Sequence, residues 1–112
     1  MPIANCFLSP CVVNNENTSN ELIDRWGVHS GFNPSEMTFT VLKAEEQMGK
    51  SYDAICTLYL PSLWSRESIS LLQTGLAKAI AEVYQLESTK VIVITSIVEP
   101  NRVVENGEEV SW

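Results

Sequence analysis

The second residue of the chain is a proline. If Met1 is removed, Pro2 carries the one secondary amine that an unmodified chain can offer. A generic α-amino group titrates near about pH 8, close enough to neutrality for its surroundings to tune it either way. A neutral Pro2 can take a proton from a carbon next to a carbonyl and return it elsewhere. A protonated Pro2 can protonate a double bond while another group activates water. Both require Met1 to be absent, because an acylated nitrogen is no longer basic. The plain alternative is that Pro2 merely opens an edge strand, where a missing N–H is tolerated.

Four other residues could work with such an amine. His29 is the only histidine, suited to acid–base work or to hydrogen bonding a carboxylate, although a histidine near a helix C-terminus also has a purely structural use. Glu105 stands between Val103-Val104 and the Asn106-Gly107 turn. There it could activate water or hold an amine protonated, or simply be solvated like its neighbours. Arg66 opens a long helix, where free N–H groups already favour anions, so its guanidinium could complete a carboxylate site or stay in solvent paired with Glu67 or Glu36. Arg102, in the loop that leads to Glu105, is the second cation of this kind.

The elements that must position these residues are legible from periodicity and punctuation. Ile3 to Leu8 reads as a buried strand ended by Ser9-Pro10, with an Asn-rich loop through Asn17. Thr18 and Glu21 form a T-x-x-E capping box for a helix carrying Leu22, Ile23 and Trp26 and closed by Gly31 and Pro34. Met37 to Glu45 alternates as a strand with Phe39 and Val41 on one face, and Ala54 to Leu60 is the next strand. From Arg66 to Leu86, Ile69, Leu72, Leu76, Ala79, Ile80 and Val83 recur at steps of three and four, the pattern of an amphipathic helix. Lys90 to Val98 is apolar on both faces, as in a central strand covered on both sides. Asn106-Gly107 signals a type I′ hairpin between Arg102-Val104 and Glu109-Trp112.

The expected fold is therefore α/β (α+β): tandem βαβ units in one sheet, with right-handed crossovers placing both helices on one face. Residues 1–112 form a single domain. The other sheet face has no cover, so sheets from several copies are expected to associate.

Bulk properties bound the function. Seven Lys and Arg against 14 Asp and Glu give a net charge of -7, which repels nucleic acid and anionic membrane surfaces alike. The three cysteines are odd in number and lack C-x-x-C spacing. Neither a disulfide framework nor a metal site is indicated, and a reducing cytoplasm fits. There is no secretory pattern at the N-terminus and no apolar run long enough to span a bilayer, so the mature chain is expected to begin at or near its encoded start.

A strand that begins at a proline directly after the initiator Met, followed by tandem βαβ units, resembles the tautomerase superfamily, whose members use an N-terminal proline and assemble as trimers or hexamers. His29 in Val-His-Ser-Gly, twenty-seven positions after Pro2, and Glu105 in Val-Val-Glu-Asn-Gly are similar to the cis-3-chloroacrylic acid dehalogenase family. In that family a histidine ending the first helix and a glutamate in a V-E-x-G segment work with the terminal proline. The resemblance implies a Pro-dependent tautomerase or hydratase needing no cofactor and acting on a small unsaturated or 2-oxo carboxylic acid. Pro2 would be base or acid, His29 would orient the substrate, and Glu105 would activate water or tune Pro2. Two departures stand out. The family's two arginines at the second helix are here only Arg66, in Ser65-Arg66-Glu67-Ser68, and its tyrosine in the last long strand falls at Thr95. The carboxylate would thus be held by Arg66, Arg102 and Thr95. These departures count against dehalogenation and leave the superfamily reading in place. The alternative from another class is a non-catalytic trimer of the same fold with a binding or signalling role.

Overall fold

The computed structural model describes residues 1–14 and 18–112. Four strands, β1 (Ile3–Leu8), β2 (Thr38–Lys43), β3 (Ala54–Pro61) and β4 (Val91–Val98), form one sheet in the order β2-β1-β3-β4. Helices α1 (Thr18–Ser30) and α2 (Arg66–Val83) connect the parallel pairs β1–β2 and β3–β4, and β1 and β3 run antiparallel at the centre. This is the tandem βαβ layout expected from the sequence. The expected Asn-rich loop runs into residues 15–17 and the capping box rests on the Thr18 side chain, so both lie outside the described residues.

Alternation along each strand sorts the residues by face. Ala4, Cys6 and Leu8 of β1 and Ala54, Cys56, Leu58 and Leu60 of β3 are fully buried beneath Leu22 and Trp26 of α1 and Leu72, Leu76, Ala79 and Ile80 of α2. Phe39, Val41, Val91 and Val93 pack at the margins of this core. The helices meet where Trp26 donates its indole N–H to the Leu72 carbonyl at 3.0 Å. Gly75 permits this approach, since a Cβ there would come within 3.1 Å of the Ser30 amide nitrogen. Cys6 and Cys56 are register partners across β1 and β3. A hydrogen bond with Cys6 and burial push the Cys56 thiol up, which keeps this buried sulfur protonated and unreactive.

The opposite face is formed by Ile3, Asn5 and Phe7, their β2 partners Thr38, Thr40 and Leu42, their β3 partners Tyr59, Thr57 and Ile55, and the β4 residues Ile92, Ile94 and Ser96. No helix covers it among the described residues. Phe7, Leu42 and Ile94 are respectively 45%, 50% and 53% exposed, values that mark an unpartnered apolar surface.

Several sequence expectations change. The strand at Val91–Val98 is an edge of the sheet, not its centre. One face, with Val91 and Val93, packs against the core, and the other, with Ile92 and Ile94, has no cover among the described residues. Conversely, β1 is an interior strand bracketed by β2 and β3, so the reading of Pro2 as the start of an edge strand does not hold. The second long helix ends at Val83 instead of Leu86, because Tyr84 leaves helical geometry and Gln85 has φ 56°. The C-terminal hairpin pairs Val104–Glu105 (β5) with Glu108–Glu109 (β6). Positive φ at Asn106 and Gly107 (55° and 77°) is the type I′ signature. Among the described residues no helix is long and apolar enough to cross a membrane.

Candidate active site

Pro2 is fully buried at the head of β1, with its carbonyl accepting the Thr38 N–H at 3.0 Å. This bond fixes the residue to the start of β2 while leaving its nitrogen side free of ladder duties. Beside it lies a cavity of about 290 Å³ lined by Met1, Pro2, Phe32, Asn33, Glu36 and Trp64, near the lower end of the usual range for small-molecule sites.

Two connections build the walls. The first follows α1: Gly31, at φ 79°, turns the chain out of the helix, and Asn33-Pro34-Ser35-Glu36 forms a single 3-10 turn. Asn33 caps that turn by accepting the Ser35 N–H on Oδ1 at 2.9 Å. Proline at its first position and an acidic residue in its only turn are the residue types such a start favours. Gly27 allows the segment to fold back over α1, because a Cβ there would lie 3.1 Å from Pro34 Cδ. The second connection leads from β3 into α2. Ser65 caps α2, its Oγ accepting the Ser68 N–H at 3.2 Å, which places Trp64 just ahead of the helix. The Phe32 and Trp64 rings meet with centroids 5.4 Å apart at 38°, a tilted pair that closes one side of the cavity.

None of the expected partners of Pro2 lines this cavity. His29 lies in the last turn of α1, before the Gly31 turn, and faces α2: its Nε2 is 2.6 Å from Glu82 Oε1. Arg25 reaches the same carboxylate at 3.4 Å and Glu21 at 2.9 Å. The hydrogen bond with His29, opposed by some desolvation and reinforced by Arg25, holds the Glu82 carboxyl below its ordinary range. His29 instead lines a separate cavity of about 390 Å³ with Ala77, Lys78, Ala81, Glu82 and Ser88.

Glu105 is exposed on β5, directly opposite Glu108. Arg66 and Arg102 are exposed as well, and neither lines the Pro2 cavity. Thr95 is half-buried under α2, its Oγ1 2.6 Å from Gln73 Oε1, so its hydroxyl already has a partner in the fold. Topology does bring several of these segments to one end of the sheet. Val98 pairs with Pro61, the Ser62 N–H is bonded to the Val98 carbonyl, and Trp112 Nε1 donates to Ser62 Oγ at 3.2 Å. The root of the C-terminal hairpin is thereby tied to the end of β3 that lies beside β1's start.

Sequence reasoning missed Phe32, Asn33, Glu36 and Trp64 as wall residues. The N-P-S-E run was a readable signal, since it is a helix-start pattern that fixes where Glu36 sits.

No family model matches the sequence, and no curated protein matches it significantly. Solved structures do match. The chain is similar to fused 4-OT, solved as a wild-type symmetric trimer, at TM-score 0.77 and 10% identity over 96% of this chain and 94% of that one. It is similar to N1, a member of the cis-3-chloroacrylic acid dehalogenase family, at TM-score 0.73 and 9% identity over 96% of this chain and 82% of that one. Leishmania major MIF2 aligns at TM-score 0.74 and 11% identity over 97% of both chains. At these identities the likeness is one of fold, and the fold is the tautomerase-like one that the sequence resemblance implied.

Proposed function

We propose that this chain is a Pro-dependent enzyme of the tautomerase type, in which the Pro2 amine, freed by loss of Met1, moves a proton on a small unsaturated or 2-oxo compound. The observation that carries this reading is the buried Pro2 at the wall of a cavity of about 290 Å³ whose one carboxylate, among the described residues, is Glu36. Met1 is itself a lining residue, so its removal both exposes the nitrogen and enlarges the space in front of it. The neutral amine acts as base toward a carbon next to a carbonyl. Glu36 and the apolar walls share this cavity with Pro2, and a nearby carboxylate favours a protonated amine while burial favours a neutral one.

The fold shared with fused 4-OT and with a cis-3-chloroacrylic acid dehalogenase family member supports the reading. Pro2→Ala tests it. The variant keeps a primary amine and most of the packing, so a loss of α-proton exchange by about 10²–10⁴-fold reports on the secondary amine. Equal rates in the two proteins would refute the proposal.

We further propose that the functional form is a homotrimer joined through the uncovered sheet face carrying Phe7, Leu42 and Ile94. Sedimentation at micromolar concentration is expected to give three times the chain mass, and a stable monomer would refute this.

A further inference from the structure

Resting on the reading of Pro2 as the catalytic amine, we infer that its substrate is an uncharged aryl carbonyl compound and not a carboxylic acid. Among the described residues, the lining of the Pro2 cavity contains no Arg, Lys or His, and its one ionisable side chain is Glu36. A carboxylate entering this space would meet a like charge inside a chain of net charge -7. Such repulsion grows as water is excluded. Arg66, only two positions beyond Trp64, points into solvent at the start of α2, and Arg102 is exposed beyond β4.

What the walls do offer fits a planar apolar group next to a carbonyl. The Phe32 and Trp64 rings, 5.4 Å apart, present aromatic surface for stacking or edge contact. Asn33 spends its Oδ1 on the Ser35 N–H at 2.9 Å, which fixes the amide orientation and leaves Nδ2 as a donor for the substrate carbonyl oxygen. The reaction then balances without a cofactor. The α C–H bond breaks, its proton goes to the Pro2 nitrogen, and its electron pair forms the enolate C=C while the carbonyl π pair moves onto the oxygen held by Asn33. Return of the proton from Pro2 to that oxygen gives the enol, and return of a solvent deuteron to carbon labels the starting compound.

The test compares phenylacetaldehyde, its 2-oxo acid counterpart phenylpyruvate, and propanal as substrates for deuterium incorporation at the α-carbon, followed by NMR. It uses the full chain after loss of Met1 is verified by intact mass. Pro2-dependent kcat/KM is expected to be at least about tenfold higher for phenylacetaldehyde than for either of the others. Trp64→Ala should raise KM for phenylacetaldehyde several-fold, to about that of propanal, with kcat largely kept. Glu36→Gln should narrow the gap between phenylacetaldehyde and phenylpyruvate. Equal or better turnover of phenylpyruvate would overturn the inference on charge, and equal turnover of propanal would overturn the aryl requirement, each leaving the Pro2 mechanism standing. An unchanged gap in Glu36→Gln would overturn Glu36 as the discriminating group. If none of the three shows exchange that is lost in Pro2→Ala, the mechanism and this inference fall together.

Discussion

The Pro2 cavity and the His29–Glu82 cluster are fed by the same stretch of chain, His29 and Phe32 being three positions apart, yet they face different neighbours and offer different chemistry. Residues before the Gly31 turn look across to α2, where His29, Arg25, Glu21 and Glu82 form an exposed ionic group. Residues after it drop toward β1 and line an apolar cavity with, among the described residues, a single carboxylate. Proximity in sequence therefore says little about proximity in space when a left-handed residue intervenes, here at φ 79°. The ionic cluster holds two helices together at the surface. The cavity holds the buried Pro2 next to aromatic walls, and an amine freed there by loss of Met1 would meet surroundings that can tune its basicity.

The contrast can be broken in several places. The largest effect is expected from Pro2→Ala, with the loss of about 10²–10⁴-fold in exchange rate given above and little change in melting temperature. Next is Gly75→Ala: the added Cβ would sit 3.1 Å from the Ser30 amide nitrogen and 3.2 Å from the His29 carbonyl carbon. Both are backbone atoms that cannot swing aside, so a stability loss of about 1–3 kcal/mol is expected in denaturant unfolding. Because that shift moves the end of α1 and the segment that follows, it should also disturb the Pro2 cavity and so measure how tightly the two regions are coupled.

His29→Ala is a smaller perturbation and the sharper one. It is expected to alter the exchange rate by less than about threefold, since a positioned acid or base would be worth far more. A loss of a hundredfold would bring His29 into the site. The smallest effect concerns pH. The Glu82 carboxyl is held low in the folded state by the hydrogen bond with His29 first and by Arg25 after it. Its stabilising contribution is therefore complete above the unfolded carboxylate range and is lost as pH falls through the folded value. Unfolding midpoints measured from neutral pH to below about pH 4 should fall slightly less in Glu82→Gln than in the parent chain. The group is exposed, so the difference should be slight.

Much of the fold was legible before any coordinates, and the reasons are local. The spacing of Leu72, Leu76, Ala79 and Ile80 marks the buried stripe of α2 directly, and Asn106-Gly107 dictates positive φ at both turn positions. The place of Val91–Val98 was not legible, because an apolar strand reads the same whether it is central or an edge awaiting a partner. For the proposed site, Pro2 was a candidate from its position alone. The walls were not, because Phe32, Asn33 and Glu36 come from one connection and Trp64 from another some thirty residues on. Only packing of both against β1 makes them neighbours. Glu105, Arg66, Arg102 and Thr95 matched a pattern of types and spacing. Exposure of the first three and the Thr95–Gln73 hydrogen bond are tertiary facts that no spacing carries.

The central claim is that a free secondary amine at Pro2 does the chemistry, and the most direct measurement compares the same chain with Met1 removed and with Met1 kept. Both forms keep Phe32, Asn33, Glu36 and Trp64 around the cavity; they differ in Met1 and in the Pro2 nitrogen, which is an amide in one and an amine in the other. With phenylacetaldehyde in deuterium oxide, the processed chain is expected to incorporate deuterium at least about 10²-fold faster than the chain that keeps Met1. Equal rates from the two forms would contradict the account.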